Sequence, residues 1–333
     1  MRTGPGHAGR YYRSMSAAPD VKRLVVAIGG NATHPENIRG TTAEQEEIAA
    51  RAARAMRPLA ETVPELIVTH GNGPVVGKIL LRQYYAREHI PPMRLDVCVA
   101  HSQGGIGHLL MQGLEDELAR AEVERRVACI VTRVAVNADD PAFRKPTKPI
   151  GPFFSETEAK ELERALGWHM VEDSGRGWRY VVPSPKPRQV LELDLIASLA
   201  KQGVAVIAAG GGGIPMVLRA DGSYGGVPAV IDKDLTSALL AAELEADALL
   251  ILTAVSRVAI NFRKPGQRDL ETVTASELEA LRKEGHFADG SMGPKVQAAL
   301  NFMAAGGRRA IIAHLDECAD ALAGRTGTHV VPG

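Results

Sequence analysis

Three times in this chain a short apolar run, rich in branched residues, ends abruptly in glycine. Leu24–Ile28 runs into Gly29-Gly30-Asn31-Ala32, Leu66–His70 into Gly71-Asn72-Gly73-Pro74, and Val204–Ala209 into Gly210-Gly211-Gly212-Gly213. A continuous apolar run suits a strand buried on both faces, the usual condition in a parallel sheet. Glycine at its carboxyl end lets backbone N–H groups approach an anion closely. Ligands of open α/β sheets bind at that end of the strands. One such loop says little, because glycine also ends strands for steric reasons. Three with the same grammar predict loops that converge on one edge of one sheet.

The third loop is followed by Val230-Ile231-Asp232-Lys233-Asp234, which opens a helical run over Leu235–Glu243. A helix N-terminus adds positive potential. A lysine between two aspartates is a compact charge with a fixed direction. These features together predict a phosphate-handling site.

The 333 residues are 45% hydrophobic, enough for a substantial core. Thirty-nine Lys and Arg balance 39 Asp and Glu, so no long-range field favours nucleic acid or an anionic membrane. Aromatic residues are only 4%, too few for base-stacking platforms. Cys98, Cys129 and Cys318 are far apart, without CxxC or metal-ligand spacing. They fit small buried residues in a reducing compartment, the cytoplasm. No apolar run approaches bilayer-spanning length. Residues 1–20 are Gly-, Arg- and Ser-rich without an apolar centre, which excludes a secretory signal. They read as a disordered leader, or as the product of an early start with Met15 as the alternative.

From Leu24 onward strand-like and helix-like segments alternate, predicting a mainly parallel sheet with helices on both faces. Thr41-x-x-Glu44 is a capping-box pattern that opens a helix to about Met56, with Pro58 ending or kinking it. Gly73-Pro74 places proline in a helix's first turn, with the helix running to about Arg87. Ser102–Glu122 reads as a helix and Val127–Val136 as one strand. Seven of the twenty prolines then fall between Pro141 and Pro187, which argues against continuous sheet or helix there. The segment is expected to protrude as a lid of about residues 138–187 within one domain of residues 21–333. Further strands are expected at Val204–Ala209, Ala248–Leu252, Val258–Asn261 and Ala310–Ala313. Helices are expected at Leu235–Glu245, Ala275–Glu284, Pro294–Ala304 and Asp316–Ala323.

Taken in order, the motifs resemble those of the carbamate kinases of the amino-acid kinase superfamily. The resemblance runs from about Val25 to Val331. It rests on Gly29–Ala32, Thr69–Pro74, Ser102-Gln103-Gly104, Pro141–Phe143 and Pro146–Phe153. It continues through Gly177–Arg179, Val182–Pro187, Ala208–Pro215, Ala229–Asp234, Gly285–Phe287 and Gly290–Lys295. The proline-lysine strings and the last motif are the specific ones; the glycine loops alone indicate only the superfamily.

The resemblance implies an open αβα sandwich with a mainly parallel central sheet and a protruding subdomain, assembled as a homodimer. It implies reversible phosphoryl transfer between ATP and carbamate, giving carbamoyl phosphate and ADP, with Mg2+ carried on the phosphates and no metal ligand from the protein. It also implies a direction toward ATP synthesis in arginine, agmatine or purine catabolism. By matching position, Lys148, Lys233 and Lys295 are the active-site lysines, with Asp234 holding them in place. Gly211, Gly212, Gly213, Asp232, Lys233, Met292 and Lys295 are expected on the nucleotide. The related acetylglutamate-type kinases carry a lysine just after the first glycine pair; this chain has Asn31, with Lys148 from the lid supplying the charge.

The physical chemistry agrees with this transfer of roles. Two anions must meet in line, so positioning and charge cancellation matter more than covalent help. Lysines supply compact charges with rotatable donors. Lys148 lies between Pro146 and Pro149, which stiffen its backbone. Lys186 stands in a similar frame, where a structural role is equally open. Carbamate needs only a grip on a small planar anion, expected from the backbone of Gly29, Gly30 and Asn31 and of Gly71, Asn72 and Gly73. Asn72 and Gln103 are expected to add directed donors. Carbamate is already an anionic nucleophile, so His70 is read as orienting or structural rather than as a base.

Three positions depart from the common pattern. Val75 stands where glutamine is usual, His101 replaces a methionine or similar residue, and Arg133 replaces a glutamine. These either drift or retune the substrate toward another small carboxylate. A kinase of acetylglutamate, aspartate or a nucleotide would need a side-chain pocket, which Asn31 and Lys148 argue against. A non-enzymatic anion or nucleotide sensor would be expected to lose a catalytic lysine, and none is lost. A nicotinamide oxidoreductase would need a GxGxxG after a strand.

Overall fold

The computed structural model describes residues 21–30, 38–173, 175–287 and 291–333. The proposed leader and Asn31 lie outside them. In chain order the strands are β1 Arg23–Ile28, β2 Glu65–His70, β3 Val127–Cys129, β4 Arg133–Val136, β5 Lys148–Phe154 and β6 Met170–Glu172. Then come β7 Trp178–Val182, β8 Pro187–Val190, β9 Ala205–Ile207, β10 Ile214–Leu218, β11 Tyr224–Gly226 and β12 Ala248–Thr253. The last are β13 Val258–Ile260, β14 Arg268–Leu270, β15 Thr272–Thr274, β16 Ala310–His314 and β17 Thr328–Val331. The α-helices are α1 Thr42–Thr62, α2 Gly73–Ala86, α3 Leu95–Arg120, α4 Glu156–Leu166, α5 Leu193–Lys201, α6 Lys233–Glu243, α7 Ala275–Lys283, α8 Met292–Ala304 and α9 Cys318–Leu322.

Eight strands form the main sheet in the order β15-β17-β16-β12-β1-β2-β9-β3. Its pairs are parallel except β16 with β17. Side chains alternate between the faces of a strand, and here both faces are covered. Leu24, Val26 and Ile28 join a core with Met56, Leu59, Leu110 and Leu114 of α1 and α3. Val25 and Ala27 join the opposite core with Ile196, Leu240, Val296 and Phe302 of α5, α6 and α8. Two helical layers around a mainly parallel sheet make the expected αβα sandwich. The three glycine-ended strands β1, β2 and β9 are consecutive neighbours, so their loops lie side by side.

The proline-rich segment is more ordered than its composition predicts. It contains a three-stranded antiparallel sheet, β5-β7-β6, with α4 opened by a capping box from Ser155 to Glu158. Its prolines fit because β5 is an edge strand, where a missing N–H costs no ladder bond, and because its register shifts between Ile150 and Phe154. Ile150 and Val182 join Val76, Leu95, Val99 and Val230 in one apolar cluster at the base of this sheet. Its outer end packs Leu162, Met170, Trp168 and Tyr180 with Tyr84 of α2.

Several boundaries differ from expectation. Helix α1 continues through Pro58 to Thr62, because Leu59 and Ala60 are buried and hold the last turn on the sheet. Helix α3 begins at Leu95, seven residues early, with Leu95, Cys98 and Val99 buried. The single strand expected at Val127–Val136 is two strands in two sheets. Val258–Ile260 pairs with β14 in a separate hairpin rather than in the main sheet. The expected helix over Asp316–Ala323 starts as a 3-10 turn at Leu315–Glu317.

Candidate active site

The break between β3 and β4 is built by one side chain. Gln103 of α3 accepts from the Thr132 amide at 2.8 Å through Oε1 and donates to the Thr132 carbonyl at 3.0 Å through Nε2. Thr132 Oγ1 donates to the Ile130 carbonyl at 2.8 Å and accepts from the Ala209 amide at 2.9 Å. That bond holds Ala209, at φ 50, as the entry to the four-glycine loop. Gln103 thus shapes the loop through Thr132, with its amide engaged on backbone. The sequence reading expected it to face the substrate.

The loop itself turns through a 3-10 segment, Gly210–Gly212. Gly211 has φ 64, and a Cβ there would lie 2.1 Å from Asn72 Nδ2. Only glycine satisfies both conditions. Asn72 is buried and donates to Ser102 Oγ at 2.7 Å. The first two loops also touch through backbone, since a Cβ on Gly71 would lie 2.7 Å from Gly30 Cα. The Gly29 amide donates to the Leu252 carbonyl at 3.1 Å and the Gly71 amide to the Ile28 carbonyl at 3.0 Å. Both extend the sheet ladder at the carboxyl ends of β1 and β2, and Gly73 is the first residue of α2.

The charged centre lies at the N-terminus of α6. Asp232 is its N-cap, its Oδ1 accepting from the Asp234 amide at 2.9 Å. Lys233 is buried and donates to Asp234 Oδ1. Lys295, on the first turn of α8, donates to Asp234 Oδ2 at 3.2 Å. Lys148, the first residue of β5, donates to Asp232 Oδ2. Three lysines from three distant segments therefore rest on two neighbouring aspartates. Met292, the first residue of α8, packs at the edge of the adjoining core.

Burial alone would raise Asp234, but Lys233 and Lys295 outweigh it and hold its carboxyl well below the usual range. Burial pulls Lys233 below the usual ammonium value, against the opposing pull of Asp234. His70 is fully buried beside the loop, with Nδ1 donating to the Gly71 carbonyl at 3.1 Å. Burial, helped by nearby Lys233, lowers it to about 4, against the Gly71 hydrogen bond. It is a neutral imidazole that packs against Gly210, as expected of a structural group.

Sequence reading did not single out the hydroxyls that frame Lys233. Ser237 Oγ donates to the Lys233 carbonyl at 2.6 Å and meets Thr69 Oγ1 at 2.6 Å. Thr236 Oγ1 donates to the Gly212 carbonyl at 2.9 Å, tying α6 to the glycine loop. The available signal was a polar residue, Thr69, directly after the apolar run Leu66–Val68. Of the departures from the family pattern, Val75 packs on the core beneath the sheet and His101 is exposed. Arg133 Nε is held by Glu192 Oε1 at 2.7 Å. Among the described residues no group of three His, Cys, Asp or Glu is placed to hold a metal ion. No helix of the described residues is long and apolar enough to cross a membrane.

An αβα sandwich with lysines gathered at the glycine-lined ends of its parallel strands defines a phosphotransferase acting on small anions. Residues 22–314 match the model of the amino acid kinase family. A carbamate kinase of Thermococcus kodakarensis is 48% identical over 314 residues, covering 93% of this chain and 99% of that protein. The solved structure of Giardia lamblia carbamate kinase bound to AMP-PNP superposes with a TM-score of 0.86 at 42% identity, covering 94% of this chain and 99% of that one. The same enzyme bound to citric acid gives a TM-score of 0.89 at 41% identity, with the same coverage. The chain belongs to the amino acid kinase family, among its carbamate kinases.

Proposed function

We propose that this chain moves a phosphoryl group reversibly between ATP and carbamate, using Lys148, Lys233 and Lys295 as the charges that gather the reactants. The observation that carries this reading is the convergence of those three lysines on Asp232 and Asp234 beside the three glycine loops. The transferring phosphoryl group spreads charge over its equatorial oxygens, and fixed cations there lower the barrier without covalent help. Asp234 restrains Lys233 and Lys295 from opposite oxygens, so neither ammonium needs to be ordered when substrate arrives. Lys148 brings the third charge from the lid.

Carbamate attacks as an anion and needs no base, which suits the neutral His70. Gly30, Asn72 and Gly73 are the loop residues we assign to the small anion, with Asn31 beside them in sequence. Gly211, Gly212, Gly213 and Met292 are assigned to the nucleotide. ATP enters as its Mg2+ complex. Asp232 and Asp234 already accept from lysines, so the metal's ligands come from phosphate oxygens and water.

The direction toward ATP, a place in arginine or purine catabolism, a homodimer and a cytoplasmic location complete the reading, on family resemblance. Free Cys98 and Cys318, both buried, agree with a reducing compartment. The test is 31P NMR of the protein with MgADP and carbamoyl phosphate, then with MgATP, ammonia and bicarbonate. Interconversion in both mixtures is expected. Unchanged resonances in both would refute the reading.

A further inference from the structure

Asp232 uses its two oxygens for unlike tasks. Oδ1 caps α6 through the Asp234 amide, and Oδ2 holds Lys148. The cap fixes the carboxylate to the core, at φ −73 and ψ 122. Lys148 stands on the edge strand of the lid sheet, so this ion pair bridges lid and core. It is also the outermost pair of the centre. The Lys148 side chain is 29% exposed, against 10% for Lys233 and 14% for Lys295. Lys233 and Lys295 share Asp234; Lys148 has a carboxylate to itself. A capped aspartate cannot follow the lysine toward the phosphates, so the two must part when Lys148 engages an anion.

We propose that Asp232 is the resting counter-ion of Lys148: it holds the ammonium at the mouth of the site, and the incoming anion takes the lysine from it by exchange. Asp232 is in this sense a positioning residue that weakens anion binding and speeds anion release. The inference rests on the kinase reading of the site. The exchange itself involves ion pairs only and no covalent step. With both aspartates ionised, three lysines leave one net positive charge; neutralising Asp232 leaves two, and frees Lys148 of its competitor.

Asp232→Asn separates the two tasks, because asparagine caps a helix as well as aspartate does but carries no charge. Asp232→Ser is the second variant, should the first fail to fold. Inorganic phosphate, titrated calorimetrically, is the probe, since its binding needs no turnover. Either variant is expected to bind phosphate at least about fivefold more tightly than wild type at low ionic strength. In a Lys148→Ala background the same change is expected to alter the dissociation constant by less than about twofold, since the effect runs through that lysine. In turnover, the KM for carbamoyl phosphate is expected to fall together with kcat, because release slows, a pattern that loss of a cap alone would not give. Phosphate affinity that is unchanged or weaker in Asp232→Asn would overturn the exchange, as would an equal gain without Lys148. Wild-type ATP formation is scored separately, so failure of the kinase reading would appear there and leave the phosphate result standing.

Discussion

Lys233 is placed where a lysine is electrostatically disfavoured. It is buried at the N-terminus of α6, against the positive end of the helix dipole. The carboxylates of Asp234 and Asp232 offset that cost. Such a residue is kept for what it does to a bound anion. Lys233→Ala is expected to lower kcat by about 10²–10³-fold, the loss typical of removing one donor from a charge-stabilising site. Steady-state kinetics on a variant with an unchanged circular dichroism spectrum measure it, and wild-type turnover would sink the assignment.

His70 gives a second residue-scale expectation. Its folded value of about 4 lies below the ordinary 6.5. Below pH 6.5 the unfolded chain takes up a proton that the folded chain refuses, so stability falls as the pH drops toward 4. The loss approaches about 3 kcal/mol at the acid end. His70→Asn keeps a donor for the Gly71 carbonyl and should flatten that part of the pH profile in urea unfolding. An identical slope in both proteins would show that His70 is not the group responsible. At this scale the lysines were legible because each sits in a specific string, Pro-Thr-Lys-Pro, Asp-Lys-Asp or Gly-Pro-Lys. Ser237, Thr236 and Thr132 were not, since their partners at Thr69, Gly212 and Ala209 are reached only through the fold.

At the scale of elements, strand β5 of the proline-rich segment meets α2 through a contact between glycines. A Cβ on Gly77 of α2 would lie 2.0 Å from Gly151 Cα. The two backbones touch, and Lys148 is three residues away along β5. Gly77→Ala must push β5 off α2 and Lys148 out of reach. Displacements near 1 Å at a reacting centre cost about 10²-fold in rate. A drop of that order is expected with secondary structure retained, and a fully active variant would contradict this role for the contact. Because Ile150 and Val182 pin the base of the β5-β7-β6 sheet, its outer end around α4 is where movement is expected if the segment acts as a lid. Nucleotide should slow proteolytic cleavage there, and equal cleavage with and without it would exclude a moving lid. The elements misread from sequence share one cause. Pro58, the break at Ile130–Thr132 and the early start of α3 are each decided by tertiary contact: with the sheet, with Gln103 and with the cluster around Val76. Local pattern does not contain these contacts.

At the scale of the molecule, the strand order does what no single motif can. It makes β1, β2 and β9 neighbours although their sequences lie far apart, and it leaves β3 and β15 as the edges. Alternation of strands and helices was enough to predict the sandwich. It could not give the order, because the strand following α6 inserts beside β1 and not at an edge. The site then lies where the loops after these three neighbouring strands meet. Val75 and Arg133, the departures with most bearing on substrate, are taken up by the core and by Glu192. The direct test is the catalytic efficiency for ADP phosphorylation with carbamoyl phosphate against acetyl phosphate, which carries a methyl where carbamoyl phosphate carries an amino group. One hydrogen-bonding contact of about 1–3 kcal/mol separates them. Carbamoyl phosphate is expected to be favoured by about tenfold or more, and an efficiency for acetyl phosphate equal to or above it would contradict a site built for carbamate.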